Sequence, residues 1–584
     1  MTTKYQRYRS AEMHVPAQTW AWNLYGAGME NIGRNNRPET LSVPEPDENQ
    51  MLVRIDSVAL CFSDVKVINM GGRHPKLYNR DLASEPTRLG HETSLTVVKV
   101  GRNLQDRYRP GQRLAVQPDI YQNGKSTAYG YTIPGGLIQY HLIGPEMLDT
   151  DEGACLLPIE GDLGLGYAES SLLEPWGCVM AAYTQRRRLE PKKDGMMWIV
   201  GRPGDQREYD FSSGLDAPGT IVLTDVPQAI KKLVSKTTAQ ILIRDGLQVD
   251  AYAGMVNELT DDKGFDDIVV LDPASSDAVG TIAQHIARRG TLNLVGETPL
   301  DGMVPADVGR LHYDYIAFLG TQGPDVAAAY GSVRNRCELV PQGVAVFVGA
   351  GGPMGQMHVQ RAIELPDGPR KIIATEVNAR RLAALEQRVA PIAAKNNREL
   401  IYLNPRLNPR QDDGDLYDHV MQITQGRGAD DVVVCVPVAE VMAQAATLMN
   451  PNGMLVFFAG VPNGTMAPLN LSAVYMDNAQ YTGTSGLTIN DQALVMQRAA
   501  EGQLSTSRSV GAIGGMLAAK EGIQAMIEGR YPGKIVIFPQ IHDLPLMGLD
   551  ELKDKIPEVS AKLEAGDAWT TAAEEVLIET YWKG

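Results

Sequence analysis

The 584-residue sequence is poor in cysteine, with five residues at positions 61, 155, 178, 337 and 435. Their odd number and scattered placement exclude a disulfide framework and suit a reducing compartment. Positive charge is also short, 54 Lys and Arg against 70 Asp and Glu, for a net charge of −16. Phosphate backbones call for a basic face, and the longest basic run, Arg186-Arg187-Arg188, reads as a solvated helix end; a nucleic-acid partner is not expected. No apolar stretch approaches the roughly 20 residues that span a bilayer. The N-terminus is polar and has no hydrophobic signal core, which predicts a cytoplasmic protein with no membrane partner.

What the chain has is a repeat the size of a domain, far longer than the units of about 20–50 residues that build solenoids. Lys263-Gly264-Phe265-Asp266-Asp267-Ile268-Val269-Val270 is echoed by Arg427-Gly428-Ala429-Asp430-Asp431-Val432-Val433-Val434. Each is followed by a short strand ending in glycine, at 291–296 and 454–460. Each closes on a near-identical turn, Gly320-Thr321-Gln322-Gly323 and Gly483-Thr484-Ser485-Gly486, and the offset holds at 163–164 residues throughout. Hydrophobic content of 43% and charged content of 21% are ordinary for a globular protein.

Residues 40–150 carry short β-type runs (51–60, 94–100, 112–117) broken by Pro, Gly and Asn, which predicts a β-rich domain. From about residue 196 the rhythm becomes strand, helix, strand, with apolar strands expected at 196–200, 219–224, 267–271 and 291–295. The order recurs at 344–348, 371–375, 431–436 and 454–458. That alternation predicts an α/β protein with two tandem, doubly wound parallel sheets. A strand at 533–537 is expected to return to the first domain, and 546–584 to form a polar helical tail on the surface or in a subunit contact.

The strand at 344–348 runs into Gly349-Ala350-Gly351-Gly352-Pro353-Met354-Gly355 and then a helical pattern. Glycines let the backbone approach a pyrophosphate seated on the positive end of the following helix. Glu376, 21 residues after Gly355, is the acid expected on the ribose hydroxyls, and its charge favours NAD over NADP, with Arg380 and Arg381 close by. The loop carries one residue more than the G-x-G-x-x-G pattern. In the first copy the matching loop reads Gly201-Arg202-Pro203-Gly204-Asp205-Gln206, where proline removes an amide and Asp205 would repel phosphate. That copy, a degenerate Rossmann-type domain, has either a structural or oligomeric role or a retained nucleotide site.

Cys61-Phe62-Ser63-Asp64 and Gly90-His91-Glu92 lie in the β-rich region, and Glu174 follows in Leu172-Leu173-Glu174-Pro175-Trp176. Thiolate, imidazole and carboxylate make a catalytic zinc set with one position open. Singly, each has a structural alternative: a core cysteine, a loop histidine, a helix N-terminal acid. Together with the segment 97–101, Pro110-Gly111-Gln112-Arg113 and Glu174-Pro175, these motifs resemble the zinc-dependent medium-chain dehydrogenases, over residues 50–185 and 340–540. A likeness to the sugar-phosphate reductases of that family rests on Gln117-Pro118, Tyr129-Gly130-Tyr131, the segment 155–162, Glu174-Pro175-Trp176-Gly177-Cys178, Phe458-Ala459-Gly460 and Gly483-Thr484-Ser485-Gly486.

The resemblance implies a GroES-like catalytic domain beside a Rossmann domain, with the active site between them. The expected boundaries are 1–190 for the catalytic domain, 191–337 for the degenerate copy, 338–500 for the NAD-binding copy, 501–545 for the return and 546–584 for the tail. Cys61 and His91 are the implied zinc ligands, with Glu92 or Glu174 as the third. Ser63 would relay the proton of the reacting oxygen, and Asp64 belongs to the same catalytic set. Gly349, Gly351, Gly352, Pro353, Met354, Gly355, Glu376, Gly460 and Thr484 would bind NAD. Residues 118–140 contain no cysteine, so one zinc per chain is expected, without the structural zinc of the family's four-cysteine lobe.

The expected activity is hydride transfer between NAD(H) and a polyol or ketose, including a sugar phosphate such as L-sorbose 1-phosphate, which the basic loop Gly72-Arg73-His74-Pro75-Lys76 could hold. A general polyol dehydrogenase, a redox-neutral epimerase-like enzyme with bound NAD, and a nucleotide sensor are the alternatives. A homo-oligomer is expected from family habit.

Overall fold

The computed structural model describes residues 3–10, 14–159, 163–406 and 416–584; Glu160, Gly161 and Asp162, the end of the 155–162 motif, lie outside the described residues. The chain forms two compact units, one of residues 1–180, 352–357 and 486–584, the other of 181–351 and 358–485. Among the described residues no helix is long and apolar enough to cross a membrane.

The first unit is built on an eight-stranded sheet. Its order is Leu156–Ile159, Arg113–Val116, Glu92–Val100, Met51–Ala59, Lys534–Phe538, Val510–Gly515 and Met547–Gly548, with Tyr140–Ile143 also on Met51–Ala59. Every residue of Met51–Ala59 is buried. Its two charges, Arg54 and Asp56, survive inside because they pair with each other at 2.7 Å. Strand register does the positioning: Ala59 lies opposite Glu92 on one side and Val536 on the other. The Leu60 N–H then donates to the Ile535 carbonyl, at 2.9 Å. Cys61, the His91-Glu92 pair and Lys534 therefore sit at one end of three adjacent strands.

The tail is helical at Leu552–Lys555, Pro557–Ser560 and Thr571–Tyr581, and part of it is buried against the first unit. Met547–Gly548 adds an antiparallel edge to Val510–Gly515, and helix Thr571–Tyr581 buries Ala573, Glu574, Leu577 and Ile578. The apolar side chains recur on one helix face, so burial wins over the polar average. Glu574 is fully buried and accepts from the Ala168 N–H at 2.8 Å and from the Tyr167 N–H, at the start of helix Tyr167–Ala181. It thus serves the positive end of that helix.

The second unit holds the two copies. One sheet runs Gln240–Ile243, Thr220–Thr224, Met196–Val200, Phe265–Leu271, Ile286–Val295, Ala317–Thr321. The other runs Glu399–Leu403, Lys371–Thr375, Val344–Val348, Ala429–Val434, Met449–Phe457, Gln480–Gly483. Both are parallel and share the strand order 3-2-1-4-5-6 of doubly wound dinucleotide-binding folds. The glycine-threonine motifs expected as turns are in part strand: Gly320 and Thr321 end one edge strand and Gly483 the other.

The copies pair across a local two-fold. Val304–Asp307 and Met466–Leu469 are antiparallel, with Pro305 opposite Pro468; a two-stranded edge pairing tolerates the missing amides. Helix Val308–Tyr313 of the first copy packs on strand Gln480–Gly483 of the second, and helix Ser472–Met476 of the second packs on Ala317–Thr321 of the first. One apolar cluster runs through both, including Leu311, Phe318, Tyr475 and Tyr481.

Burial pushes the Glu574 carboxyl up from 4.5 to about 7, against the pull of the two helix amides and Arg113. The folded chain then holds a proton that the unfolded chain releases between those values, so this group's contribution falls as pH rises from about 4.5 to about 7. Glu574→Gln removes that loss. Its unfolding free energy relative to wild type should increase by about 1–3 kcal/mol between pH 5 and pH 8, as measured by denaturant unfolding. A pH-independent difference contradicts the assignment.

Candidate active site

At the end of strand Met51–Ala59 the chain turns into helix Phe62–Met70, and Asp64 closes its first turn. Asp64 Oδ2 accepts from the Cys61 N–H at 3.1 Å, while Oδ1 accepts from the Gly90 N–H at 3.2 Å. One buried carboxylate thus ties the Cys61 turn to the loop before Glu92–Val100. Gly90 has φ +90°, and a Cβ there would stand 2.8 Å from Val58 Cγ1, so the loop reaches His91 only through glycine. Asp64 Oδ1 also lies 3.3 Å from His91 Nδ1, close enough to orient the ring without a hydrogen bond to it.

The ligand atoms of Cys61, His91 and Glu92 all lie within 4.8 Å of one another. His91 and Glu92 are buried. Glu92 Oε2 is buried with no hydrogen-bond partner, whereas Oε1 is ion-paired with Lys534 Nζ. Lys534 is itself buried and also donates to the Leu60 carbonyl at 3.4 Å. Burial works against the Cys61 thiolate, yet Lys534 and His91 bring the thiol down from 9.0 to about 5. Thiolate, imidazole and an unpartnered carboxylate oxygen, with ligand atoms within 4.8 Å of one another, fit a zinc ion.

Glu174 projects from the middle of helix Tyr167–Ala181 and is buried. The Cys178 thiol lies 3.8 Å from its Oε1. Burial and the nearby Cys61 push its carboxyl up to about 7, tempered by His91 and Lys534. Ser63 stands half-buried in the first turn of the Cys61 helix. Lys534 was not singled out by sequence as a site residue; its signal is a lysine opening an apolar strand, where a cation has no business unless it is paired.

Beside this set, Tyr131 lies 5.6 Å from the His91 ring and 5.4 Å from the His74 ring. Lys76, expected in a phosphate-holding loop, is ion-paired with Asp119; Arg73 of the same loop is exposed.

In the second copy the glycine loop follows Val344–Val348, and helix Pro353–Glu364 opens on Pro353, with Met354 and Gly355 in its first turn. Gly349 has φ +79°, and a Cβ there would meet Val436 Cγ2 at 2.4 Å. At Gly351 a Cβ would fall 2.6 Å from Glu376 Oε2, while at Gly352 nothing lies within 4 Å. Gly349 and Gly351 therefore serve the turn and its approach to Glu376, and the backbone at Gly352 is open. Glu376 is buried and accepts from the Asn378 N–H at 2.9 Å. Gly460 follows strand Met449–Phe457, and Thr484, next to the edge strand, has a buried Oγ1 with no hydrogen-bond partner.

The first copy's loop is built differently. Residues 201–218 hold no helix, so none follows the loop directly as helix Pro353–Glu364 does in the second copy. An ionic cluster occupies it: Arg207 Nη2 is 2.9 Å from Asp272 Oδ1, Tyr209 donates to Asp205 Oδ2 at 2.6 Å, and Arg202 pairs with Asp272.

A family model described as "Alcohol dehydrogenase GroES-like domain" matches residues 47–148, and one described as "Zinc-binding dehydrogenase" matches residues 353–501. The uncharacterized protein YggP of Escherichia coli (strain K12) is 30% identical over 50% of this chain and 72% of its own length. L-sorbose 1-phosphate reductase of Klebsiella pneumoniae is 28% identical over 52% of this chain and 75% of its own. Mannitol-1-phosphate 5-dehydrogenase of Aliivibrio fischeri (strain ATCC 700601 / ES114) is 24% identical over 93% of this chain and 94% of its own, a span that has to include the first copy. The chain belongs to the zinc-dependent medium-chain dehydrogenases. It is an oxidoreductase of the alcohol and polyol dehydrogenase type, acting on a small molecule, with zinc and a nicotinamide dinucleotide as cofactors.

Metal analysis of the purified chain should give about one zinc per chain, and Cys61→Ser should lower this at least tenfold. A second stoichiometric zinc, or full occupancy in C61S, contradicts the ligand set.

Proposed function

We propose that the chain interconverts a ketose phosphate and its polyol phosphate with NAD(H), at one zinc held by Cys61, His91 and Glu92. The observation that carries this reading is the convergence of those three ligand atoms within 4.8 Å beside a buried, otherwise unpartnered Glu92 oxygen. When bound, zinc supplies a Lewis acid for the carbonyl or alcohol oxygen and the dinucleotide exchanges a hydride with its carbon.

The chain's own residues do the rest. Asp64 fixes the Cys61 turn and the His91 loop; Lys534 pairs with Glu92 and opposes the burial that pushes its carboxyl up; Ser63 passes the proton between the substrate oxygen and solvent. Glu174, its carboxyl raised to about 7, faces the set as the carboxylate that can replace Glu92. Gly349, Gly351 and Gly352 accommodate the pyrophosphate and Pro353 to Gly355 begin the helix that receives it. Glu376 takes the ribose hydroxyls, and this carboxylate favours NAD over NADP. Gly460 and Thr484 line the nicotinamide end, where the Thr484 hydroxyl is available to the carboxamide. Two relatives are named for phosphorylated substrates, which supports a sugar phosphate here. With Lys76 held by Asp119, the exposed Arg73 is the cation of that loop placed to take the phosphate. The first copy serves a structural role, and the return and the tail belong to the catalytic unit of one cytoplasmic enzyme.

The test is the initial rate of NADH oxidation with L-sorbose 1-phosphate beside free L-sorbose, with and without a zinc chelator. A chelator-sensitive rate on the phosphate, with a KM raised about tenfold in Arg73→Ala, is expected for one lost charge-assisted contact. Equal rates on both sugars would make the enzyme a general polyol dehydrogenase, and no rate on either would overturn the substrate class.

A further inference from the structure

The contact between the two copies is reciprocal, but its two halves are not alike. Tyr475, in helix Ser472–Met476 of the second copy, fills the space beside two glycines of the first. A Cβ at Gly320 would stand 2.7 Å from Tyr475 Cβ, and one at Gly296 3.4 Å from its Cε2. Its hydroxyl donates to the Thr298 carbonyl at 2.7 Å. The corresponding position in the first copy, 163 residues earlier, is His312.

His312 stands beside the equivalent glycines of the second copy. A Cβ at Gly460 would be 2.8 Å from His312 Nε2 and 2.5 Å from the Tyr313 hydroxyl; one at Gly483 would be 2.5 Å from the Leu311 carbonyl. His312 is buried, and its Nδ1 lies 3.1 Å from the carbonyl of Phe457, the last residue of its strand. A carbonyl only accepts, so the proton sits on Nδ1 and Nε2 faces the Gly460 backbone. The imidazole thus braces the carboxyl end of a central strand, the place where doubly wound sheets bind their ligands. It does so only in the copy with an intact glycine loop; against the copy whose loop has become an ionic cluster, the chain uses a tyrosine.

We infer that the first copy is a built-in partner for the second, and that His312 is a positioning residue, setting the Phe458-Ala459-Gly460 backbone for the nicotinamide end of the dinucleotide. This rests on the proposed role of Gly460 and Thr484 in holding that cofactor. The duplicated domain lost its own dinucleotide loop while keeping the face that supports its twin. His312 acts through the backbone of 457–460 rather than on the reacting atoms.

The test compares His312→Ala, His312→Asn and Tyr475→Ala in the full-length, zinc-loaded chain, by NADH titration, steady-state kinetics and thermal unfolding. Asparagine keeps a donor near the Nδ1 position. H312A should weaken NADH binding about tenfold and raise KM for NADH with kcat changed less than about threefold, and H312N should recover most of the loss. Y475A removes a comparable buried ring from the same pairing, so it should lower Tm and leave NADH affinity unchanged. Wild-type affinity in H312A, or an equal loss in Y475A, overturns the inference while leaving the dehydrogenase reading intact. No NADH binding by the wild-type chain overturns both. If H312A does not accumulate folded, His312→Phe, which fills the space without a donor, takes its place in the same comparison.

Discussion

The site depends on one buried cation. Cys61, Asp64, Glu92 and Glu174 place a thiol and three carboxyls within a single buried neighbourhood. Burial there pushes the Glu92 and Glu174 carboxyls up, so holding their negative charge away from water is costly unless it is compensated. Lys534 supplies part of the compensation: it is buried, ion-paired with Glu92, and held as an ammonium by Glu92 and Cys61. It arrives on the strand Lys534–Phe538, which lies against Met51–Ala59 after more than 400 intervening residues. The long excursion through the two copies is therefore closed by a strand pairing that also completes the electrostatics of the metal set.

The second constraint is the pairing of the copies. Their contact uses Gly320, Gly460 and Gly483, each at a place where a Cβ would clash with the other copy's helix, while at Gly296 it would clash first with Pro273 of its own copy. Close approach of backbone to helix requires those glycines, and they recur at the same offset because the contact is two-fold. Duplication thus gives one chain a complete, self-complementary interface. The first copy keeps this face even though its loop holds an ionic cluster. Its ionic cluster around Asp205, Arg207 and Asp272 replaces the phosphate-facing amides of an intact loop.

Much of this was legible in the sequence because it is local. The apolar strands at 196–200, 344–348 and 371–375 coincide with the observed ones, and the motifs carrying Cys61, His91 and Glu92 lie close together. Gln240–Ile243 and Glu399–Leu403, the outer edge strands of the two sheets, were not legible: they are short and only partly buried, and so carry little apolar contrast. Val304–Asp307 and Met466–Leu469 each contain a proline, which argues against a strand until a partner of the same kind lies opposite. Long-range partnerships were also hidden. Nothing local in Lys534 names Glu92, and nothing in His312 names Phe457. The tail read as a surface helix because its average is polar, whereas its burial is decided by Ala573, Leu577, Ile578 and one carboxyl at a helix start.

The measurement that tests the central claim most directly is zinc-edge anomalous diffraction from crystals of the full chain. The account predicts a single peak per chain, bounded by Cys61 Sγ, a His91 ring nitrogen and the Glu92 carboxylate, with Lys534 Nζ still on the other Glu92 oxygen. A peak away from these residues, or a Glu92 turned from the metal with Lys534 released, would contradict it.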